Sequence, residues 1–151
     1  MRDTLVVLAT GVGLWVALAW ANPASDTATE ILALEKSGLD GWLKGDPGPQ
    51  LATLDAQITY FHAVVEQRLE GLPAVKQLYE RFRGVPLFDS YQMLTPKVQV
   101  LGDVAVLTYV LAQHTRAGTT FWNGTQVYQM KKEGWRVIHT HWSKGNAPEN
   151  Q

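Results

Sequence analysis

In the second half of the chain, apolar and polar residues alternate with a period of two, and this pattern limits what the chain can fold into. Four such runs are separated by short breaks that contain glycine. They cover residues 90–101, 104–115, 119–130 and 135–143. Alternation is typical of strands with one buried face, and tight glycine-bearing breaks join such strands in hairpins. The sequence therefore predicts a four-stranded antiparallel meander, with an edge or a bulge at Pro96, which cannot donate to a strand ladder.

The preceding part of the chain has helical spacing instead. Residues 27–45 carry an apolar stripe behind a capping-box pattern, and residues 70–84 form a second helical stretch. A short alternating run, residues 57–61, lies between them. Helices followed by an amphipathic sheet predict an α+β arrangement. A long, bulged sheet that curves around helices leaves a concave interior, where a ligand would bind.

Residues 1–21 are interpreted as a secretory signal peptide. An apolar run from Leu5 to Trp20 follows Arg2 and ends in an A-x-A cleavage pattern, so we expect the mature chain to begin at Asn22. The alternative is an uncleaved membrane anchor, because the run is nearly long enough to span a bilayer. Both interpretations predict a periplasmic or secreted protein. Contact with a membrane is expected only if the segment is uncleaved.

Charge and cysteine content exclude several classes of protein. A net charge of -1 over 151 residues gives no basic face for nucleic acid. The absence of cysteine excludes disulfides, thiolate nucleophiles and thiolate metal sites. The length suits one domain. We expect that domain to span residues 27–145, with residues 146–151 as a flexible polar tail.

The stretch GWRVIHTHWS, residues 134–143, places His139 and His141 on one face of a predicted strand. A zinc site needs three or four ligands, and the only further histidines are His62 and His114. We therefore expect no metal. The favoured interpretation is that the pair forms hydrogen bonds inside the fold and helps to line its cavity. A direct acid–base role is the alternative.

The direction in which these histidines face is predicted from Arg136. An arginine is costly to bury without a partner, so its side of the strand is expected to face outward. Simple alternation then directs His139 and His141 inward. It also leaves Ile138 and Trp142 on the outer side, which is accommodated if that side of the sheet is the interface of a homodimer.

No residue can be assigned a catalytic role from the sequence. Asp55 precedes the first strand and is equally a turn residue, Asp103 lies in a hairpin turn, and Asp40 is expected to face outward from its helix. We find no carboxylate inside an apolar run, where burial would mark a general acid. The predicted ligand pocket is instead lined by Trp42, Tyr60, Tyr79, Trp122, His139 and His141.

Several segments together resemble a known family. The resemblance rests on two segments, one containing Tyr60, Phe61, Glu66, Arg68 and Gly71 and the other the closing WRVIHTHWS. They resemble the SnoaL-like branch of the nuclear transport factor 2-like superfamily. More narrowly, they are similar to bacterial stand-alone relatives of the calcium/calmodulin-dependent protein kinase II association domain. The resemblance implies a cystatin-like cone, in which a strongly curved antiparallel sheet wraps around N-terminal helices, with a pocket at the wide end and usually a homodimer.

The resemblance leaves the chemistry open, because members include isomerases, cyclases, dehydratases, hydrolases and domains without known catalysis. The kinase relative uses this domain for assembly, and its pocket relies on arginines. The resemblance places Leu111 and Gln126 at those positions here, so an acidic ligand is not carried over. Glu66 and Arg68 are expected to form a structural polar pair.

Three functions are therefore compared. The first is an exported domain without cofactor that binds a small apolar or mixed-polarity molecule and forms a homodimer through its sheet. The second is a small enzyme, an isomerase, cyclase or hydrolase, acting on a hydrophobic ligand. The third is an assembly module without ligand. A buried acid converging with tyrosine favours the enzyme, a filled cone favours assembly, and an open pocket without acid–base geometry favours binding.

Overall fold

A computed structural model describes residues 23–148 of the chain. The predicted signal peptide, with its expected cleavage before Asn22, lies outside these residues, as do the last three positions of the predicted tail. The helices and strands follow in this order: α1 (Pro23–Leu43), α2 (Gly48–Thr53), β1 (Leu54–His62), β2 (Leu69–Glu70), α3 (Leu72–Glu80), β3 (Ser90–Leu101), β4 (Val104–Thr115), β5 (Gly118–Lys131) and β6 (Gly134–Lys144).

The strands form one six-stranded sheet in the order β2-β1-β6-β5-β4-β3. The predicted α+β class and the four-stranded meander are confirmed, since β3 to β6 pair as consecutive antiparallel neighbours. The sheet is nevertheless mixed, because β1 pairs with β6 in parallel. Between these two strands the chain passes through α3 and the other meander strands. A connection of that length permits parallel pairing, which a hairpin cannot make.

Pro96 lies both on an edge strand and at an irregularity in strand pairing, the two alternatives that the sequence predicts. β3 is an edge strand of the sheet, and its pairing with β4 shifts register between Leu94 and Lys97. Thr95, directly before the proline, has a positive φ of 47°. The irregular stretch therefore places the proline where no ladder bond is required of it.

Helix α1 lies against the concave side of the sheet. Its residues Ile31, Leu39 and Trp42 are buried in the same core as residues of β1, β4 and β6. The helix ends at Leu43, and Gly45 follows with a φ of 68°, a conformation that glycine adopts without strain. Within residues 23–148 no helix is both long and apolar enough to cross a membrane.

A bulge in β6 changes which residues face the interior. Val127 pairs with His139, whereas the next residue, Tyr128, pairs with Val137, so Ile138 is an extra residue on its strand. An extra residue shifts the alternation of side chains for the remainder of a strand. The odd-numbered residues of β6 therefore face inward before the bulge, and the even-numbered residues face inward after it.

The expectation that His139 and His141 line the interior is corrected by this bulge. Val137 and Thr140 are buried on the two sides of it, whereas His139 is half-buried and His141 is exposed on the outer face. The outward direction predicted from Arg136 holds only as far as the extra residue. A bulge has no periodic signature in a sequence, so simple alternation predicts the opposite direction for both histidines.

Candidate functional site: a cavity inside the cone

An open cavity of about 240 Å³ lies between the helices and the concave face of the sheet. Its wall is mainly apolar and aromatic. The aromatic part is formed by Trp42, Tyr60, Tyr79, Phe82, Phe88, Trp122 and Trp142. The polar part is formed by His62, Gln50, Gln113 and Gln126. Among the described residues that line this cavity, none is an aspartate, glutamate, lysine or arginine.

The structure brings four of the six predicted pocket residues together. Trp42, Tyr60, Tyr79 and Trp122 all line the cavity. Tyr79 makes edge-to-face contacts with two of them, at ring distances of 5.0 Å to Trp42 and 5.7 Å to Tyr60. Such contacts hold the rings in fixed orientations. That these residues bind a ligand remains a prediction.

The two other predicted residues lie on the outer face of the sheet. His139 Nδ1 is 2.8 Å from Thr59 Oγ1, and the Phe61 ring contacts the rings of His139 and His141 at 6.2 and 5.6 Å. Partial burial lowers the pKa of His139, and the neighbouring His141 and Arg68 lower it further. Because Phe61 itself is 40% exposed, these residues form an apolar and aromatic patch facing away from the cavity.

The interior of the cone holds a carboxylate that is not among the site residues predicted from the sequence. Glu35, on α1, is only 1% exposed. Its Oε1 accepts hydrogen bonds from the Tyr109 hydroxyl at 2.5 Å and from Gln126 Nε2 at 3.2 Å, and its Oε2 accepts one from the Tyr128 hydroxyl at 2.7 Å. Burial raises the pKa of Glu35, and these three donors oppose the shift.

A signal in the sequence could have identified Glu35. It follows Ile31 by four residues and precedes Leu39 by four, so it occupies the apolar stripe of α1 itself. Burial also raises the pKa of the two tyrosines, and the charge of Glu35 raises it further. Both hydroxyls therefore keep their protons and remain donors to the carboxylate.

Gln126 links this buried carboxylate to the cavity. Its Nε2 donates to Glu35, and its Oε1 accepts from the Thr140 hydroxyl at 2.6 Å. Gln126 lines the cavity, whereas Glu35 and Thr140 do not. The amide of Gln126 thus lies between the carboxylate and the cavity.

The cavity lining also contains His62, one of the two further histidines in the sequence. Its ring lies 4.9 Å from the ring of Trp122, and its Nδ1 accepts a hydrogen bond from the backbone N–H of Val64 at 3.1 Å. Burial lowers the pKa of His62, and Lys144 lowers it further. The ammonium of Lys144 lies 3.8 Å from the centre of the Trp122 ring, in a cation–π contact.

Arg68 pairs with Glu70 and not with Glu66, the predicted partner. Arg68 donates to Glu70, with Nε 3.0 Å from Oε1, and Glu66 is exposed in the preceding bend. Residues two apart in an extended segment point to the same side, which brings Arg68 and Glu70 together. Both side chains of the observed pair are more than half exposed, so solvent weakens their interaction.

The histidines do not converge on one another. His139 and His141 lie on the outer face of the sheet, while His62 lines the cavity and His114 contacts Thr119 at 2.9 Å. Over residues 23–148, no three histidine, cysteine, aspartate or glutamate side chains are grouped so that they could hold a metal ion.

A curved sheet that encloses a cavity against N-terminal helices defines the nuclear transport factor 2-like class. Within that class, the chain belongs to the calcium/calmodulin dependent protein kinase II association domain family, whose model matches residues 27–146. The resemblance stated from the sequence is thereby confirmed. No curated protein matches the chain in sequence.

Solved structures agree with this assignment. A protein from Parabacteroides distasonis with a provisional ketosteroid isomerase name is 31% identical, with a TM-score of 0.69, over 78% of this chain and 86% of its own. The kinase hub of S. rosetta is 26% identical, with a TM-score of 0.64, over 83% and 98%. An NTF2-like protein of unknown function from Pseudomonas putida shares the fold at 21% identity, with a TM-score of 0.72, over 83% and 91%. Fold and relatives together support a ligand-binding or assembly domain.

Proposed function

We propose that the chain is an exported domain that binds a small, uncharged and largely apolar molecule inside the cone. The observation that carries this proposal is the open cavity of about 240 Å³ whose described lining has no charged side chain. Binding sites are typically concave and mainly apolar, with a few placed polar groups. The volume lies below the roughly 300–1,000 Å³ typical of drug-sized ligands, which favours a compact molecule.

The same cavity argues against a module that serves assembly alone, because such a module has no need of an open interior. Assembly is still part of the proposal. The sequence predicts pairing through the outer face of the sheet, and we propose that two copies pair there through the patch of Phe61, His139 and His141, in place of the Trp142 that lines the cavity. The S. rosetta kinase hub, at 26% identity, supports assembly as part of the proposal.

A small enzyme is the second candidate, and Glu35 is the observation that favours it. A buried carboxylate with a raised pKa beside two tyrosines has the composition of a general acid site. A relative with a ketosteroid isomerase name supports this alternative. Against it, Glu35 does not line the cavity, and a catalytic acid must come within hydrogen-bond reach of its substrate.

Native mass spectrometry of the exported protein tests the proposal in one measurement. We expect a dimer that carries a non-covalently bound, uncharged small molecule, and a mature chain beginning at Asn22. A monomer at high micromolar concentration would contradict the proposed pairing. Recovery of an intact N-terminus from the membrane fraction would replace the signal peptide with an anchor. Conversion of an added ligand into product would favour the enzyme.

A further inference from the structure

The amide of Gln126 is held at both ends by buried partners. Glu35 accepts from its nitrogen at 3.2 Å, and the Thr140 hydroxyl donates to its oxygen at 2.6 Å. Gln126, Glu35 and Thr140 are 1%, 1% and 2% exposed. A freely rotating amide could exchange the positions of its nitrogen and oxygen, but the amide of Gln126 is fixed in one orientation. Turning it would direct its carbonyl oxygen at Glu35 Oε1, which is an acceptor already bonded to Tyr109.

The fixed amide retains hydrogen-bonding capacity. A glutamine side chain has two N–H donors and an oxygen with two lone pairs; Glu35 uses one N–H and Thr140 uses one lone pair. One N–H and one lone pair therefore remain on a residue that lines the cavity, and an unpaired buried N–H is the rarer and more costly of the two. Burying that donor without a partner costs free energy, and a ligand oxygen that accepts from it recovers that cost.

From this geometry we infer that the cavity recognises an uncharged apolar molecule through a carbonyl oxygen that accepts from Gln126, with Glu35 and Thr140 as positioning residues. The inference rests on the proposed ligand-binding function and names the ligand class. An anionic ligand is disfavoured, because it would lose its hydration in a wall without charged residues.

Three probes of nearly equal shape separate these properties. 2-Acetylnaphthalene carries a carbonyl oxygen, 2-isopropenylnaphthalene replaces that oxygen by a methylene group, and 2-naphthoate carries a negative charge. Binding is followed by the fluorescence of the wall tryptophans and by calorimetry. We expect the ketone to bind about ten-fold more tightly than the alkene, the effect of one hydrogen bond of ordinary strength, and the naphthoate to bind weakest.

Variants assign the preference to particular side chains. In Gln126→Leu we expect the ratio of ketone to alkene affinity to fall to about one, with the alkene bound as in the wild type. Gln113 is the comparison, since its Oε1 accepts from Trp122 Nε1 at 2.9 Å. Gln113→Leu should weaken both probes together and leave their ratio unchanged. Thr140→Val and Glu35→Gln test positioning, and each should lower the ratio while the alkene affinity is retained.

The outcomes distinguish the two proposals. If none of the three probes binds, the proposed function and this inference both fail. If ketone and alkene bind equally to the wild type, only the inference fails. A preference that survives in Gln126→Leu and disappears in Gln113→Leu would overturn the role of Gln126. Naphthoate binding as tightly as the ketone would instead indicate recognition by Lys144 at the mouth. If Gln126→Leu does not fold, Thr140→Val decides, and an unchanged ratio there contradicts the inference.

Discussion

The two faces of β6 carry polar residues under opposite conditions. On the inner face, Thr140 donates to Gln126, which donates to Glu35, and all three are buried and bonded. On the outer face, His139 contacts Thr59 while His141 is exposed. The comparison teaches that burial, more than residue type, decides what a polar side chain can do. The inner residues are bound into one network, and the outer ones remain available to a partner.

The largest expected effect breaks the inner network at its centre. Glu35→Leu removes the acceptor of three buried donors, so we expect the free energy of unfolding to fall by at least about 3 kcal/mol. Urea denaturation followed by circular dichroism measures it. Glu70→Leu is the control, because it removes a carboxylate whose pairing with Arg68 is exposed to solvent. Similar losses in both variants would show that the inner network does not stabilise the fold.

The next largest loss of stability is expected from a side chain added at Gly124, which packs against a tryptophan of the cavity wall. A Cβ added at Gly124 would lie 2.7 Å from Cζ3 of Trp142, so the ring must move. Trp142 lines the cavity and packs edge-to-face on Tyr109. We expect Gly124→Ala to cost about 1–3 kcal/mol and to weaken binding of the alkene probe.

A second substitution shows whether this loss comes from crowding. Trp142→Phe supplies a smaller ring, and in the double variant it should restore part of the stability lost in Gly124→Ala. Urea denaturation of the two single variants and the double variant gives the coupling between them. Additive losses would mean that the contact between Gly124 and Trp142 is not the cause.

A smaller effect follows from the protonation of Glu35. Its raised pKa means that the folded protein holds this proton more tightly than the unfolded chain does, where the value is near 4.5. The stabilisation is therefore complete below that value and is lost as pH rises through the folded pKa. We expect the wild type to lose stability relative to Glu35→Gln as pH rises from 4.5 to 8.

Urea denaturation across this pH range measures the difference. Glu30→Gln, an exposed position on the same helix, controls for the loss of a glutamate elsewhere. A difference between wild type and Glu35→Gln that stays constant with pH would exclude Glu35 as its source.

The smallest effect belongs to the outer face. The lowered pKa of His139 means that the folded protein favours the neutral ring. The stability that this ring contributes is therefore present above about pH 6.5 and is lost as pH falls through the folded pKa. We expect the proposed dimer to weaken between pH 7.5 and 5.5. The weakening should be smaller in His139→Gln. Analytical ultracentrifugation measures both. The variant should bind ligand as tightly as the wild type does. A loss of ligand affinity in the variant would mean that the replaced side chain lines the cavity.

The meander could be predicted from the sequence because its signals are local. Alternation and glycine-bearing breaks gave the β3 and β4 boundaries, and β5 and β6 extend the predicted runs by one residue or so at their ends. The parallel pairing of β1 with β6 depends on contacts far apart along the chain. The direction of His139 depends on a bulge that adds one residue without changing composition. Glu35 differs, because it belongs to the apolar stripe of α1 only by helical spacing and has no continuous apolar run around it that would mark a buried acid.

The bulge at Ile138 also affects how the chain tolerates changes in length. Insertions and deletions are normally excluded from the middle of a strand, since losing one residue exchanges the two faces beyond it. Here the extra residue is already present, so a chain shortened by Ile138 would regain simple alternation and keep Thr140 inside and His141 outside. Loss of Thr140 would instead exchange the faces of everything that follows. Related chains that differ by one residue at this point can therefore share the same cavity.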